Sequence, residues 1–209
     1  MPDTLEENFE KLCLDAAKCS RCEAMQSRTA VLSNLNGALR PKVFFIAEAP
    51  GRQGADRTRK PFSGDKSGEN FQKLLDSINL KREEIFITNS VLCSPRSETG
   101  ANRKPSKQEI KNCTDFLART IEIINPKIIV TLGTVALEAL KSIEYHQFTL
   151  KSDVARILQW NGKILLPLYH PSPQTIASHR RLHEQLTDFE TLGKAIEMVW
   201  NEPEQGKGL

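Results

Sequence analysis

The sequence lacks any long hydrophobic run. No apolar stretch approaches eighteen residues, which excludes a membrane-spanning helix. The opening segment MPDTLEENFEK is acidic and polar, without the basic-then-apolar pattern of an export signal, so an intracellular placement is expected. Internal repeats and low-complexity segments are missing, and no linker divides the chain. One domain is expected over residues 1–200, followed by a polar tail at 201–209. Neither sign of charge dominates: 29 Lys and Arg against 26 Asp and Glu leave +3, which permits a nucleic-acid partner without demanding one. With 39% hydrophobic and 26% charged residues, the chain has material for a real core, which argues against disorder as its main state. Five cysteines without an export pattern argue against a disulfide framework and for metal or redox use.

Four near-continuous apolar runs read as strands buried on both faces: Lys42–Ala49, Glu84–Val91, Lys127–Gly133 and Lys163–His170. Helical spacing lies between them. Phe71, Leu74, Leu75 and Ile78 share one face; Ile110, Phe116, Leu117, Ile121 and Ile124 share another; Val135–Ile143 is a shorter stripe. Helices are also expected over about Leu5–Lys18 and about Arg181–Trp200. Strands alternating with helices predict an α/β class, a single three-layer α/β/α domain around a central, mainly parallel four-stranded sheet.

Ligands of such sheets bind beyond the carboxyl ends of the strands. Glu48-Ala49-Pro50-Gly51 follows the first run, Asn89 ends the second, and His170-Pro171-Ser172-Pro173 follows the fourth. Each alone reads as an ordinary solvated or capping residue. Together a carboxylate, an amide and an imidazole are expected to converge on one crevice. Basic residues follow the same strands: Arg52, Arg57, Arg59 and Lys60; Arg96, Arg103 and Lys104; His179, Arg180 and Arg181. They suit phosphate contacts as well as plain solvation. Cys19 and Cys22 form a C-x-x-C, and Cys93 and Cys113 lie far along the chain; the set suits a four-sulfur site, either an iron–sulfur cluster or structural zinc. Cys13, on the apolar side of the first helix, reads as a core residue.

Six stretches appear in family order: AEAPG (47–51), KPFSGDKSG (60–68), FITNSVLCSPR (86–96), NRKPSKQEIKNC (102–113), KIIVTLGTVALEAL (127–140) and YHPSP (169–173). In these the chain resembles the iron–sulfur uracil-DNA glycosylases of families 4 and 5, over roughly residues 19–183. The resemblance implies a 4Fe-4S cluster on Cys19, Cys22, Cys93 and Cys113, an aromatic at Phe62 stacking on the flipped base, and an amide at Asn89 reading its edge. It also implies a histidine at His170 near uracil O2 and an acidic catalytic group at Glu48. Ala49 and Gly51 would line the substrate pocket, and Ser172, Arg180 and Arg181 would meet DNA. Family 4 usually has glycine where Ala47 stands. The GADRTRKPFSGDKSG segment and Arg181-Leu182 resemble family 5, which usually lacks the carboxylate of Glu48. The chain therefore looks intermediate, and the range of deaminated bases stays open. The region Ser94–Pro105 holds no histidine of the kind that traps DNA covalently in a related branch, so turnover is expected.

On this reading the enzyme flips uracil out of DNA and hydrolyses its glycosidic bond in base excision repair, as a monomer in the cytoplasm beside the nucleoid. A wedge, Ile176 or Leu182, would help to hold the helix open. The competing readings are a non-catalytic iron–sulfur nucleic-acid-binding protein on the same scaffold, and a zinc or thiol redox protein using Cys19 and Cys22. A radical enzyme is disfavoured because its three-cysteine run is missing.

Overall fold

A computed structural model describes residues 3–200; the expected tail at 201–209 lies outside the described residues. Helix α1 (Leu5–Ala17) starts on a Thr4–Glu7 capping box. Strand β1 (Val43–Ala47), the short α2 (Ala55–Thr58) and α3 (Lys66–Asp76) follow, then β2 (Ile85–Asn89) and α4 (Lys107–Ile124). After β3 (Ile128–Leu132) come α5 (Thr134–Leu140), a single-turn α6 (Leu150–Asp153), β4 (Leu158–Trp160) and β5 (Lys163–Leu168). The short α7 (Pro173–Ser178) and the long α8 (Leu182–Trp200) close the described chain.

The sheet order is β2-β1-β3-β5-β4. β2, β1, β3 and β5 are mutually parallel, and β4 pairs antiparallel with β5. The four expected strands are present, and β4 is a fifth. It was illegible in the sequence because it is three residues long, carries a glutamine at its centre and buries fully only Trp160. β1, β2 and β3 are buried on both faces throughout, as their near-continuous apolar runs predict.

Side chains alternate between two cores. Phe44, Ile46, Phe86, Ile129 and Leu165 pack on one side with α1, α4 and α5. Val43, Phe45, Ile85, Ile87, Val130 and Leu166 pack on the other with Phe71, Leu74 and Leu75 of α3 and Phe189, Leu192 and Ala195 of α8. Two helix layers on one sheet give the expected three-layer α/β/α domain. The outer edge of β2 is covered rather than open: Asn36 donates to the Ile87 carbonyl and Ala38 to that of Ile85.

The order matters for function. The chain leaves β1 toward β2, then crosses back over β1 to β3. That reversal leaves a crevice at the carboxyl ends of the central strands.

Candidate active site

The crevice is a cavity of about 510 Å³. Glu48, Ala49, Gly51, Phe62, Asn89, Ser172 and His170 all line it, so the structure brings together the pocket residues singled out in the sequence. The sheet ladder sets their relation. Ala47 is in register with Asn89, and two further bonds, Ser90 N–H to the Ala47 carbonyl and Val91 N–H to that of Glu48, carry the pairing past the strand ends. On the other side of β1, the Gly133 N–H donates to Leu168 at 2.8 Å, which brings the end of β3 beside His170. Asn70 of α3 donates to the Pro171 carbonyl at 3.0 Å and pins the loop that carries the imidazole.

Asn89 is 4% exposed, and its Nδ2 has no hydrogen-bond partner in the protein. A buried amide donor left unpaired is costly, and it needs an explanation by function or strain. The Phe62 ring stands at the pocket wall, 4.4 Å from the Phe71 ring in a stacked arrangement and 5.3 Å from the His170 ring. Its backbone sits at φ +49°, a conformation that a bulky residue rarely adopts.

Burial pushes the Glu48 carboxyl above its ordinary value of 4.5, and the Lys104 ammonium pulls it back. Burial pushes the His170 imidazole down to about 4, against the opposing pull of Asp65. His170 is therefore a neutral imidazole near pH 7, a hydrogen-bond donor or acceptor rather than a cation.

Two pocket residues were missed by the sequence reading. Asp65 caps α3 by accepting the Gly68 N–H at 2.9 Å, and its charge faces His170. The pattern of aspartate before a helical run was the available signal. Asn102 accepts the Arg52 N–H at 3.0 Å and ties the loop after β2 to the loop after β1. It lies within a stretch already noted as family-like, but nothing in its spacing marked the side chain.

The basic residues divide. Arg57 and Arg59 donate to loop carbonyls, Arg96 pairs with Asp56, and Arg103 grips Glu109 at 2.6 Å. These are braces of the pocket loops. Arg180, expected at DNA, is held by the buried Asp188 at 2.6 Å and by Glu184 at 3.3 Å. Arg181 is exposed and makes no ion pair among the described residues. Ser172 caps α7, its Oγ accepting the Thr175 N–H at 3.2 Å.

The cysteines form a second feature. Cys113 is buried with Met25 and Val91, and Cys22 and Cys93 pack against that group. Cys93 is pushed up to about 12 by burial and by the other three sulfurs, Cys113, Cys19 and Cys22. All four therefore share one neighbourhood. Asn112 donates to the Cys22 sulfur at 3.4 Å. Among the described residues no three His, Cys, Asp or Glu side chains stand close enough to hold a single metal ion. Cys13 packs against the core on the α1 side, as read from the sequence.

Fold and pocket define the class: an α/β/α protein with a polar-lined crevice at the carboxyl ends of its strands. The chain belongs to the uracil DNA glycosylase superfamily, whose pattern it matches over residues 36–192. It is 30% identical to the type-4 uracil-DNA glycosylase of Archaeoglobus fulgidus, across 90% of this chain and 93% of that one. Identity to the type-4 enzyme of Thermotoga maritima is 34%, across 81% and 84%. The type-5 uracil-DNA glycosylase of Pyrobaculum aerophilum is 24% identical, across 87% and 89%. Relatives of both types are thus found, with the higher identities to type 4.

Proposed function

We infer that this chain is a uracil-DNA glycosylase in which Glu48, Asn89, His170 and Phe62 act on one extruded base. The observation that carries the assignment is the unpartnered Nδ2 of Asn89, buried in the pocket that the other three line. Uracil O4 accepts from that donor, and uracil N3–H donates to the amide oxygen. Cytosine offers an amino donor at position 4 and no N3–H, so both ends of the amide would be mismatched. Phe62 supplies the stacking face.

Cleavage breaks the bond from C1′ to N1. The electron pair leaves with the base, and charge gathers on O2 while the sugar becomes cationic. Neutral His170 donates a hydrogen bond to O2. Glu48 in its carboxylate form, which Lys104 favours against burial, stabilises the cation and takes a proton from the water that adds at C1′. The products are an abasic sugar and the base anion, which takes up a proton on release while Glu48 returns its own to solvent. Asp65 supplies a negative charge near His170. Ile176 on α7 is the better wedge, because Leu182, the first residue of α8, packs partly buried against the core. Lys60, Lys104 and Arg181 are the cations best placed to meet phosphates, while Arg180 braces the loop that carries Arg181.

Cys19, Cys22, Cys93 and Cys113 would hold a 4Fe-4S cluster, and their apolar, sulfur-rich surroundings fit one. A cluster of several irons bridges more widely spaced thiolates than one ion does. Through these four residues it would tie together the segment after α1, the loop after β2 and α4. Residues 1–200 are read as the catalytic domain, working as a monomer at DNA in the cytoplasm. The assay is strand scission at abasic sites in single- and double-stranded oligonucleotides carrying uracil, hypoxanthine or xanthine. Release of uracil is expected. Binding without abasic sites in every substrate would overturn the assignment.

A further inference from the structure

The Phe62 shelf poses a question that the pocket itself does not answer. A phenylalanine at φ +49° is strained, and such a backbone persists only where its surroundings over-determine it. Part of the answer is Gly68, whose missing side chain lets α3 approach: a Cβ there would stand 2.5 Å from the Phe62 carbonyl oxygen. The remainder lies outside the pocket, at Arg82.

Arg82 stands in the turn that opens β2, seven positions before Asn89 on the same segment. It is partly buried, yet among the described residues it makes no ion pair. Its Nη2 instead donates to the carbonyl of Pro61, the residue immediately before Phe62. Its guanidinium carbon lies 5.6 Å from the centre of the Phe71 ring, the ring on which Phe62 stacks. A charge with no carboxylate partner is thus spent on a backbone oxygen and an aromatic face, both in contact with the strained residue. Proline at 61 fixes one torsion of the peptide that Arg82 holds.

We propose that Arg82 is a positioning residue for base recognition: it fixes the height and tilt of the Phe62 ring relative to Asn89 by pinning Pro61 and Phe71 together. It touches no substrate. Because it and Asn89 bracket one strand, the stacking face and the edge-reading amide share a common reference.

This inference rests on Phe62 being the stacking face, and the experiment separates the two. The probe is free uracil as a competitive inhibitor of the holoenzyme, measured for Phe62→Ala, Arg82→Met, Arg82→Lys and the Phe62→Ala/Arg82→Met double variant. Thermal melts of each run alongside. The expected result is an inhibition constant raised about tenfold by either Phe62→Ala or Arg82→Met, with the double variant no worse than Phe62→Ala alone. Arg82→Lys, which keeps a cation and a donor, should recover part of the loss and carries the same comparison if Arg82→Met does not fold. If Phe62→Ala leaves uracil inhibition unchanged, the stacking assignment fails. If Phe62→Ala weakens it while the Arg82 variants only lower the melting temperature, or if the losses simply multiply in the double variant, the positioning role of Arg82 is overturned.

Discussion

Replacing Asn89 by alanine should separate stability from function, with opposite signs. In the free protein the Nδ2 of Asn89 is buried and unpaired, and such a donor costs about 1–3 kcal/mol. Alanine removes that cost. It also removes a few packed atoms, worth about 1 kcal/mol, but they face an existing cavity of about 510 Å³ rather than a closed core. The net effect lies between zero and about 2 kcal/mol of added stability, or a melting temperature unchanged to about 6 °C higher at this chain length. The same change deprives uracil of both edge contacts. Loss of one preorganised donor costs on the order of 10²–10³ in rate, so uracil release should fall by at least that much. Single-turnover excision from a uracil oligonucleotide and a calorimetric melt test both halves. A variant that melts several degrees lower while excising uracil at the parent rate would show that Asn89 serves the fold and would remove it from base recognition.

Other expectations follow from the same geometry. Activity should fall as pH drops through the Glu48 pKa, which burial places above 4.5; Lys104→Met removes the cation that opposes this shift, so the acid limb of the rate profile should move to higher pH. Glu48→Gln should abolish that limb and slow release by about 10²–10⁴-fold, and a limb unmoved in both variants would assign it to another group. Gly68→Ala places a methyl 2.5 Å from the Phe62 carbonyl oxygen, which cannot swing aside; a loss of about 1–3 kcal/mol in a denaturant melt is expected, with weaker uracil inhibition. Cys93→Ala should remove absorbance near 400 nm and iron together and lower the unfolding midpoint. Zinc without iron in the purified parent protein would refute the cluster.

The strand ends were legible because two simple patterns coincide there. Near-continuous apolar runs such as VFFIA and IFITN mark strands buried on both faces, and in a parallel sheet their ends must share one edge. Glu48, Asn89 and His170 could therefore be grouped without a contact in hand. The fate of the arginines was not legible, because charge spacing says where a guanidinium starts and not what it reaches. Arg180, Arg103 and Arg96 resemble phosphate ligands in sequence, but Asp188, Glu109 and Asp56, which hold them, lie from 6 to 40 positions away. Arg82 was missed for the same reason: its acceptor is a backbone carbonyl 21 positions upstream, and no side-chain pattern encodes a carbonyl.

That asymmetry has a physical root in how the pocket divides its electrostatics. Burial favours the uncharged form of both Glu48 and His170, yet each has a neighbour of opposite sign pulling the other way. Lys104 faces Glu48 and Asp65 faces His170. On the proposed mechanism, the neutral imidazole is the donor where negative charge develops on the base, and Lys104 favours the charged form of Glu48 where positive charge develops on the sugar. Neither assignment follows from the motif residues alone. Burial in the closed fold outweighs the pull of Asp65 at His170, and Lys104 in the loop after β2 limits the rise at Glu48. A cation at His170 would bind the departing anion more strongly, but in the free enzyme it would lie desolvated in the same cavity as Asn89 and Phe62. Burial lowers the His170 pKa to about 4, so on the proposed mechanism the imidazole would donate a hydrogen bond without a formal charge.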